Sequence, residues 1–361
     1  MNRRILDRYL MREAAGAWAA ATFVLLTIMI STRFASVLNF AAKGEIPRDL
    51  LLQVVLLSSL RYLVILIPAT LLLAIMVSLG RLYSDNEIAA MTGCGVGMGR
   101  LYRPYLWLAV ALALLTAALS FEIGPWAGRQ ADYMVKSAKQ LVQFTPFEAG
   151  QFKTVGGGRA MFYTAKMSDS GDKLGEVFAR IEEADGASIV VANHGEQVTD
   201  PASGEREVHL FDGYRYFGTP GTPQYDIIKF RELKLRLAAP PFNYVNNQRK
   251  LEPIGDLVGS TDPQDEAEVA GRIAAPISVL VLALLAVPLS HLRPREGRYG
   301  KLVLGIVAYL VYANLISFGQ AWIGKGKLSP VIGLWWAHGL MLMVAGWLIA
   351  RRQGWVRGFG G

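Results

Sequence analysis

The stretch RLYSDNEIAAMTGCGVGMGR, Arg81–Arg100, is a polar, glycine-ended interruption in an otherwise apolar part of the chain. The residues before it, back to about position 50, and those after it, up to about position 123, carry few charges. Each flanking run is long enough for a helix to cross a hydrocarbon core of about 30 Å. The stretch therefore predicts a short extramembrane segment between two membrane-spanning helices.

The composition of the whole chain agrees with this interpretation. Of the 361 residues 52% are hydrophobic and only 18% are charged, and the mean hydropathy is +0.30. Such a balance is typical of membrane proteins rather than soluble ones. We therefore predict an α-helical membrane protein with six transmembrane helices in two groups of three. The spans are expected at about 14–38, 50–80, 102–123, 272–290, 302–322 and 330–350.

The segment between the third and fourth spans, residues 124–271, has a different pattern. Short runs such as SIVVANH and RELKLRL favour β-strands, and turn-forming residues separate them. Many short strands of this kind predict a sandwich or jelly roll. We therefore divide the chain into membrane halves at 1–123 and 272–361, with a β-jelly-roll domain inserted between them. Cys94 is the only cysteine, so no disulfide within the chain can stabilise that domain.

The distribution of charge predicts the orientation in the membrane. Basic residues concentrate before the first span, in the two short loops and after the last span, whereas the inserted domain carries more acidic than basic residues. Positive charge favours the cytoplasmic side, so both termini are expected there and the inserted domain is expected on the opposite side. The basic residues in question are Arg3, Arg4, Arg8, Arg12, Arg81, Arg100, Arg103, Arg293, Arg295, Arg298, Lys301, Arg351, Arg352 and Arg357.

No motif for catalysis or metal binding is present in the sequence. The four histidines are scattered, no cluster has metal-ligand spacing, and no nucleophile motif occurs. We expect no catalytic residue, no metal site and no cofactor bound by this chain.

The polar interruption itself contains a short helix signal. Ser84 and Glu87 have the S-x-x-E spacing of a capping box, and Ile88 and Met91 fall on one helical face. Gly93 is expected to end the helix. Two interpretations remain open from the residues alone: a plain turn in which Glu87 only caps, or a helix that docks into a partner protein.

Several motifs resemble those of a known family. LGRLYSDNEIAAMTGCG resembles the coupling-helix region of the lipopolysaccharide export permeases, the LptF/LptG family. Further agreement, in the same order along the chain, lies in GPW at Gly124–Trp126, EAGQF at Glu148–Phe152, VPLSHLRPREGR at Val287–Arg298 and GKGKL at Gly324–Leu328. The last two motifs are more similar to the LptF type than to the LptG type.

The resemblance implies one half of a heterodimeric ABC transporter in the inner membrane of a Gram-negative cell. Its expected partners are an LptG-like six-span sibling, an LptB-like ATPase dimer that binds ATP and Mg²⁺, and an LptC-like periplasmic β domain. The expected substrate is lipopolysaccharide, and no nucleic acid is expected to bind. The resemblance assigns ATPase coupling to Ser84, Glu87, Ile88 and Met91.

Basic residues also lie near the outer ends of the spans, against the positive-inside tendency. Snorkelling to the interface would explain Arg33, and a harmless short loop would explain Lys325 and Lys327. For Arg33 the resemblance instead implies binding of a lipid phosphate, and an anionic ligand would equally explain Lys325 and Lys327. We therefore expect Arg33, Lys43, Lys325 and Lys327 to bind lipid phosphate. The sequence does not decide whether Arg61 faces a partner, a cavity or the headgroups.

The β domain is either an inert folded domain or a carrier of acyl chains. Exposing a lipid chain to water costs about 0.8 kcal/mol per CH₂, so a multi-acyl lipid needs an apolar route. We expect Ile189, Leu210 and Leu235 to point inward and to line such a groove.

Three rival functions remain beside the LptF role. They are the LptG role in the same complex, a mechanotransmitting ABC subunit that moves no lipid through its spans, and an ion-coupled secondary transporter. Six spans argue against the mechanotransmitter, which usually has four. The absence of acidic residues in the middle of the spans argues against ion coupling.

Overall fold

The structure of the protein is a computed structural model that describes residues 3–42, 50–143, 149–155, 160–168, 172–183, 186–199, 206–218, 225–237, 244–291 and 298–352. The chain divides into two compact units. The first comprises Met1–Ala42, Arg48–Met134 and Val245–Gly361, and the second comprises Lys43–Pro47 and Val135–Tyr244.

Long helices form the first unit. The long helices are α1 (Arg3–Ala42), α2 (Leu51–Ser84), α4 (Met98–Ala118), α7 (Pro263–Leu289), α8 (Arg298–Gly324) and α9 (Trp335–Arg352). The short helix α3 (Glu87–Gly93) stands between α2 and α4. A 3₁₀ turn at Arg249–Leu251 and the short helix α6 (Ile254–Leu257) precede α7.

A π-helical turn at Leu119–Ile123 joins α4 to α5 (Gly124–Gln143). Because the turn does not end the helix, one continuous helix runs over Gly99–Ala138. π-Turns inside helices often occur at functional sites, and this one lines the cavity described below.

Five helices of the described residues are long and apolar enough to cross a membrane, which confirms the expected helical membrane protein but not the count of six. They are Ile5–Ala42, Leu51–Ser84, Gly99–Ala138, Pro263–Leu289 and Gly300–Gly324. Helix α9 is not among them, because His338 and the terminal Arg351 and Arg352 reduce the hydropathy of its 18 residues.

Helices α2 and α7 lie at the centre of the first unit. Leu72 and Ile75 of α2 and Leu282 of α7 are fully buried in one core cluster, which also takes in the start of α1 and parts of α4, α8 and α9. The apolar side chains of α1 and α8 are mostly exposed. Exposed apolar helix faces are stable in hydrocarbon, since the lipid is as apolar as the side chains.

The second unit contains one antiparallel sheet in which each strand pairs with its neighbour in sequence. Phe162, Val190 and Leu210 lie in the centre of its apolar core. The runs SIVVANH and RELKLRL both fall inside strands, and RELKLRL forms the second half of a longer strand that begins at Tyr225. The strands are β1 (Phe152–Val155), β2 (Ala160–Met167), β3 (Lys173–Glu183), β4 (Gly186–Thr199), β5 (Arg206–Gly218) and β6 (Tyr225–Leu237).

This arrangement confirms an inserted β domain but not a jelly roll. A jelly roll has two sheets and long crossovers, whereas the strands of the described ranges follow one another as a meander.

Candidate functional site

The start of α3 differs from the predicted capping box. Ser84 is the last residue of α2, and its Oγ donates to the carbonyl oxygen of Gly80 at 3.0 Å. The residue before α3 is Asn86, which has a left-handed φ of 59° and makes no side-chain cap. The capping box is therefore wrong. Because α2 continues to Ser84, the hydroxyl binds the carbonyl one turn back instead.

Glu87 contacts the start of α1. The Tyr9 hydroxyl donates to the Glu87 carboxylate, 2.9 Å from Oε2 and 3.2 Å from Oε1. Arg81 donates from Nη2 to Tyr9 Oη at 3.1 Å, and the same nitrogen lies 3.3 Å from Oε1 of Glu13. Glu87 thus belongs to a polar cluster that joins α1, α2 and α3.

Helix α3 has one buried and one exposed face. Ile88 is only 3% exposed, and the half-buried Met91 packs against the same core. Ala89, Ala90 and Thr92 are exposed. Ile88 and Met91 therefore attach α3 to the long helices, and the surface available to a partner consists of small side chains beside Glu87.

The four residues expected to bind lipid phosphate lie in different places. Arg33 is half-buried on α1, and its Nε is buried without a hydrogen-bond partner in the part of the chain that the structure describes. Lys43 lies outside the described residues. Lys325 and Lys327 are exposed in the turn after α8, which Gly326 makes possible with a φ of 66°.

A cavity of about 240 Å³ opens beside Arg61. Its walls come from α2, the π-turn, α5, the 3₁₀ turn at Arg249–Leu251, α7 and α8. They include Arg61, Lys250, Arg272, Glu268, Ser120 and Gln320. Three basic residues against one carboxylate give the cavity a positive charge. The charge of Arg33 acts on Arg61 through space, although Arg33 itself does not line the cavity.

The charges in this cavity are unevenly satisfied. Arg272 is 4% exposed, and its Nε lies 3.0 Å from Glu268 Oε1. Its two terminal nitrogens donate to the carbonyl oxygens of Glu252 and Arg249. Among the described residues, the Arg61 guanidinium makes no hydrogen bond and no ion pair. The negative charge of Glu268 acts on it only through space. Within the described part of the chain the Arg61 guanidinium is therefore unpaired, whereas Arg272 is fully paired.

Gly128 of α5 leaves room for the Arg61 side chain, whereas Gly124 approaches Arg61 only at an ordinary contact distance. A Cβ at Gly124 would lie 3.7 Å from Arg61 Cγ, and one at Gly128 would lie 3.2 Å from Arg61 Cδ and 2.5 Å from Leu251 Cδ2. A side chain at position 128 would therefore crowd Leu251 and Arg61.

An ion-pair network holds the segment before α7. Arg249 lies 2.8 Å from carboxylate oxygens of both Asp262 and Asp265. The hydrogen bond from Arg249, with a second from the Gln264 backbone, lowers the pKa of Asp262 below its ordinary value. Asp262 also caps α7, as its side chain accepts from Gln264 N at 2.9 Å.

The three residues expected in the β-domain groove do not share one face. Leu210 is fully buried and Leu235 is partly buried, both in the core of the sheet. Ile189 precedes the core residue Val190 on β4, so its side chain points to the opposite face. The prediction is therefore wrong for Ile189, and Val190 occupies the position expected for it.

Sequence reasoning missed Tyr9 as the partner of Glu87, and Arg81 and Glu13 as further members of the same polar cluster. Tyr9 and Glu87 are 78 positions apart, and no local pattern links them. The Glu268–Arg272 pair could have been predicted from the sequence, because opposite charges four residues apart lie next to each other on a helix. Within the described residues, no group of three or more His, Cys, Asp or Glu is placed to hold a metal ion.

Comparisons with known proteins agree with the apolar helices and the inserted sheet. The family model described as "Lipopolysaccharide export system permease LptF/LptG" matches residues 8–351. The chain is 28% identical over 344 residues to the Lipopolysaccharide export system permease protein LptF of Escherichia coli K12, covering 94% of this chain and 93% of that protein. The LptF protein of Shigella flexneri matches to the same extent. The chain therefore belongs to the LptF/LptG family, the transmembrane permease subunits of the lipopolysaccharide export system.

Proposed function

We propose that this chain is the LptF-type subunit of an ABC transporter that extracts lipopolysaccharide from the inner membrane and passes it to a periplasmic bridge. The observation that carries the proposal is α3. It is a short helix between two spans, fixed by Ile88 on one face and exposing small side chains beside Glu87 on the other.

The ATPase partner is the LptB-like dimer. The exposed Ala89 and Ala90 allow a close approach of the ATPase, and the half-exposed Glu87 offers a carboxylate to a basic residue on it. ATP and Mg²⁺ belong to the ATPase, and this chain transmits its movement. Ser84 contributes indirectly, since its hydroxyl completes the last turn of α2.

The lipid phosphates bind at the outer ends of the spans. Arg61 provides an unpaired guanidinium in a positively charged cavity, and Arg33 lies near it with its Nε unsatisfied. Guanidinium groups bind phosphate through charge-assisted hydrogen bonds. Lys325 and Lys327 add exposed positive charge after α8, and Lys43 would extend it. The exposed apolar faces of α1 and α8 are suited to acyl chains and to the LptG-like sibling.

The β domain would carry the acyl chains in the periplasm. The core face with Leu210 and Leu235 is its apolar surface, and β1 and β6 are the edges of the described sheet. Free edges of this kind pair with the strands of another domain, here an LptC-like one.

The orientation follows from the charges. We place both termini in the cytoplasm, the β domain in the periplasm, and α9 as the sixth span. Eighteen helical residues extend about 27 Å, and the flanking Trp335 and Arg351 can anchor the two ends at the interfaces.

Purification of the tagged chain in mild detergent from its own membranes tests the proposal. An ATPase and a six-span sibling should co-purify, and the complex should release lipopolysaccharide only with ATP. Recovery without an ATPase would contradict the ABC role.

The LptG role remains the second candidate, because the family model covers both types. Crosslinking separates the two roles by identifying which β domain of the complex passes the lipid to the bridge.

A further inference from the structure

A row of four side chains connects three helices at the end of the first unit that contains α3. It runs from Glu13 through Arg81 and Tyr9 to Glu87, and the distances are 3.3 Å, 3.1 Å and 2.9 Å. Glu13 and Tyr9 lie on α1, Arg81 on the last turn of α2, and Glu87 on the first turn of α3.

The chemistry of these groups sets the direction of every hydrogen bond in the row. A guanidinium can only donate, and an ionised carboxylate can only accept. The Tyr9 hydroxyl accepts from Arg81, so its single proton is free to go to Glu87. If the hydroxyl proton rotated away from Glu87, the hydrogen bond to the carboxylate would be lost. Arg81 has no acceptor for the proton, so no other hydrogen bond in the row would replace it.

The backbone positions around the row are firmly held. Leu6 and Leu10, on either side of Tyr9, are buried in the core, and so are Leu82 and Ile88 beside Arg81 and Glu87. Tyr9 itself is 38% exposed. The ring therefore stands at a defined place on the surface, and the side chain most dependent on the row for its direction is the flexible Glu87.

The hydroxyl leaves most of the Glu87 carboxylate accessible. Two carboxylate oxygens offer about four acceptor positions, and Tyr9 provides only one proton. Glu87 is half-exposed, and the exposed Ala90 stands on the same short helix. The contact is therefore suited to orienting the carboxylate for an incoming basic group rather than to blocking it.

We propose that Tyr9, held by Arg81, is a positioning residue that orients Glu87 for the partner ATPase. The proposal rests on the coupling role of α3 given above. Tyr9 acts through Glu87 and is not itself the contact with the ATPase.

The test uses the complete permease complex in detergent, with the ATPase that co-purifies with it added back at increasing concentration. ATP hydrolysis is measured for wild type, Tyr9→Phe, Glu87→Gln and the double variant. Tyr9→Phe keeps the ring and removes only the hydroxyl. The control is Tyr83→Phe, which keeps the edge-to-face ring contact of Tyr83 with His291 at 5.2 Å.

Tyr9→Phe should raise the ATPase concentration needed for half-maximal hydrolysis by about three- to tenfold, as loss of an exposed hydrogen bond to a charged group predicts. The maximal rate should remain, because the complex is intact. The double variant should be no worse than Glu87→Gln alone, and Tyr83→Phe should match wild type.

Two results would overturn the proposal. Tyr9→Phe at wild-type affinity shows that the hydroxyl has no role, and equal fold-losses from Tyr9→Phe with and without Glu87→Gln show that it acts elsewhere. Wild-type affinity in Glu87→Gln would instead overturn the coupling role of Glu87, on which the proposal rests.

Discussion

Arg61 and Arg272 show how differently two arginines of one cavity are satisfied. Arg272 is almost fully buried and has a carboxylate and two carbonyl oxygens as partners. Arg61 is half-buried and interacts with Glu268 only through space. A buried charge without a partner is costly, so Arg272 is suited to holding structure and Arg61 to binding an anion.

Substitution of Arg61 should affect lipid binding more than assembly. Arg61→Glu reverses the charge that faces the cavity, so binding of lipopolysaccharide should fall at least tenfold, as for like charges brought together. Arg61→Lys keeps the charge but not the planar fork and should fall in between. Binding of labelled lipopolysaccharide to the purified complex measures this. Equal binding in all three proteins would exclude a phosphate contact.

Substitution of Glu268 should lower the stability of the complex more than it lowers lipid binding. Glu268→Gln leaves Arg272 buried without its counter-charge, which costs about 3 kcal/mol or more. The melting temperature of the complex should fall clearly. Glu266→Gln is the matched control. Glu266 lies in the same turn of α7, and its carboxylate has no ion pair among the described residues. Similar melting temperatures for the two variants would argue against a buried pair.

At the scale of elements, the docking role proposed for α3 depends on the burial of its apolar residues Ile88 and Met91 against the long helices. Seven residues are too few to form a stable helix alone. The burial of Ile88 and the left-handed Asn86 at its start give it a defined direction. The sheet is similar, because one of its faces packs into a core while β1 and β6 are its outermost described strands.

A bulky side chain on the exposed face of α3 should block the ATPase. Ala90→Trp adds a large group where the surface is small, so ATPase recovery should drop by tenfold or more without a change in melting temperature. Ser84→Ala, the control, loses only a back-bond to the Gly80 carbonyl and should retain most of the ATPase. Full recovery with Ala90→Trp would place the ATPase elsewhere.

The two faces of the sheet should differ in their contact with lipid. A photo-crosslinking residue at Leu235, on the core face, should capture lipopolysaccharide during ATP-driven export. The same residue at Ile189, on the other face, should not. Capture at Ile189 alone would show that the acyl chains follow the opposite surface.

At the scale of the whole molecule, the division into a helical unit and a sheet unit separates two tasks. The helical unit contains both α3 and the positively charged cavity. The sheet unit contains an apolar core face and has β1 and β6 as its outermost described strands, and its described strands contain no metal-ligand cluster. Under the proposed function, coupling to the ATPase and uptake of the lipid belong to the first unit, and transfer of the lipid through water belongs to the second.

Composition and periodicity determined the membrane class, the strand-rich insertion and the order of the segments. These properties depend on the character of runs of residues, which water and lipid select directly. The three consecutive apolar residues Ile189, Val190 and Val191 marked a strand but not its inward face, because alternation carries no signal there. Only the tertiary structure decided which residue enters the core.

The tertiary structure also decided the partners of the polar side chains. Ser84 and Glu87 have the S-x-x-E spacing, but they do not form a capping box. Helix α2 continues through Ser84, and the Tyr9 hydroxyl donates to the Glu87 carboxylate. The packing of α1 against α2 likewise lets the charge of Arg33 act on Arg61 through space. A hydrogen bond depends on distances of about 3 Å between residues far apart in the chain, and only the packing of helices brings those atoms together.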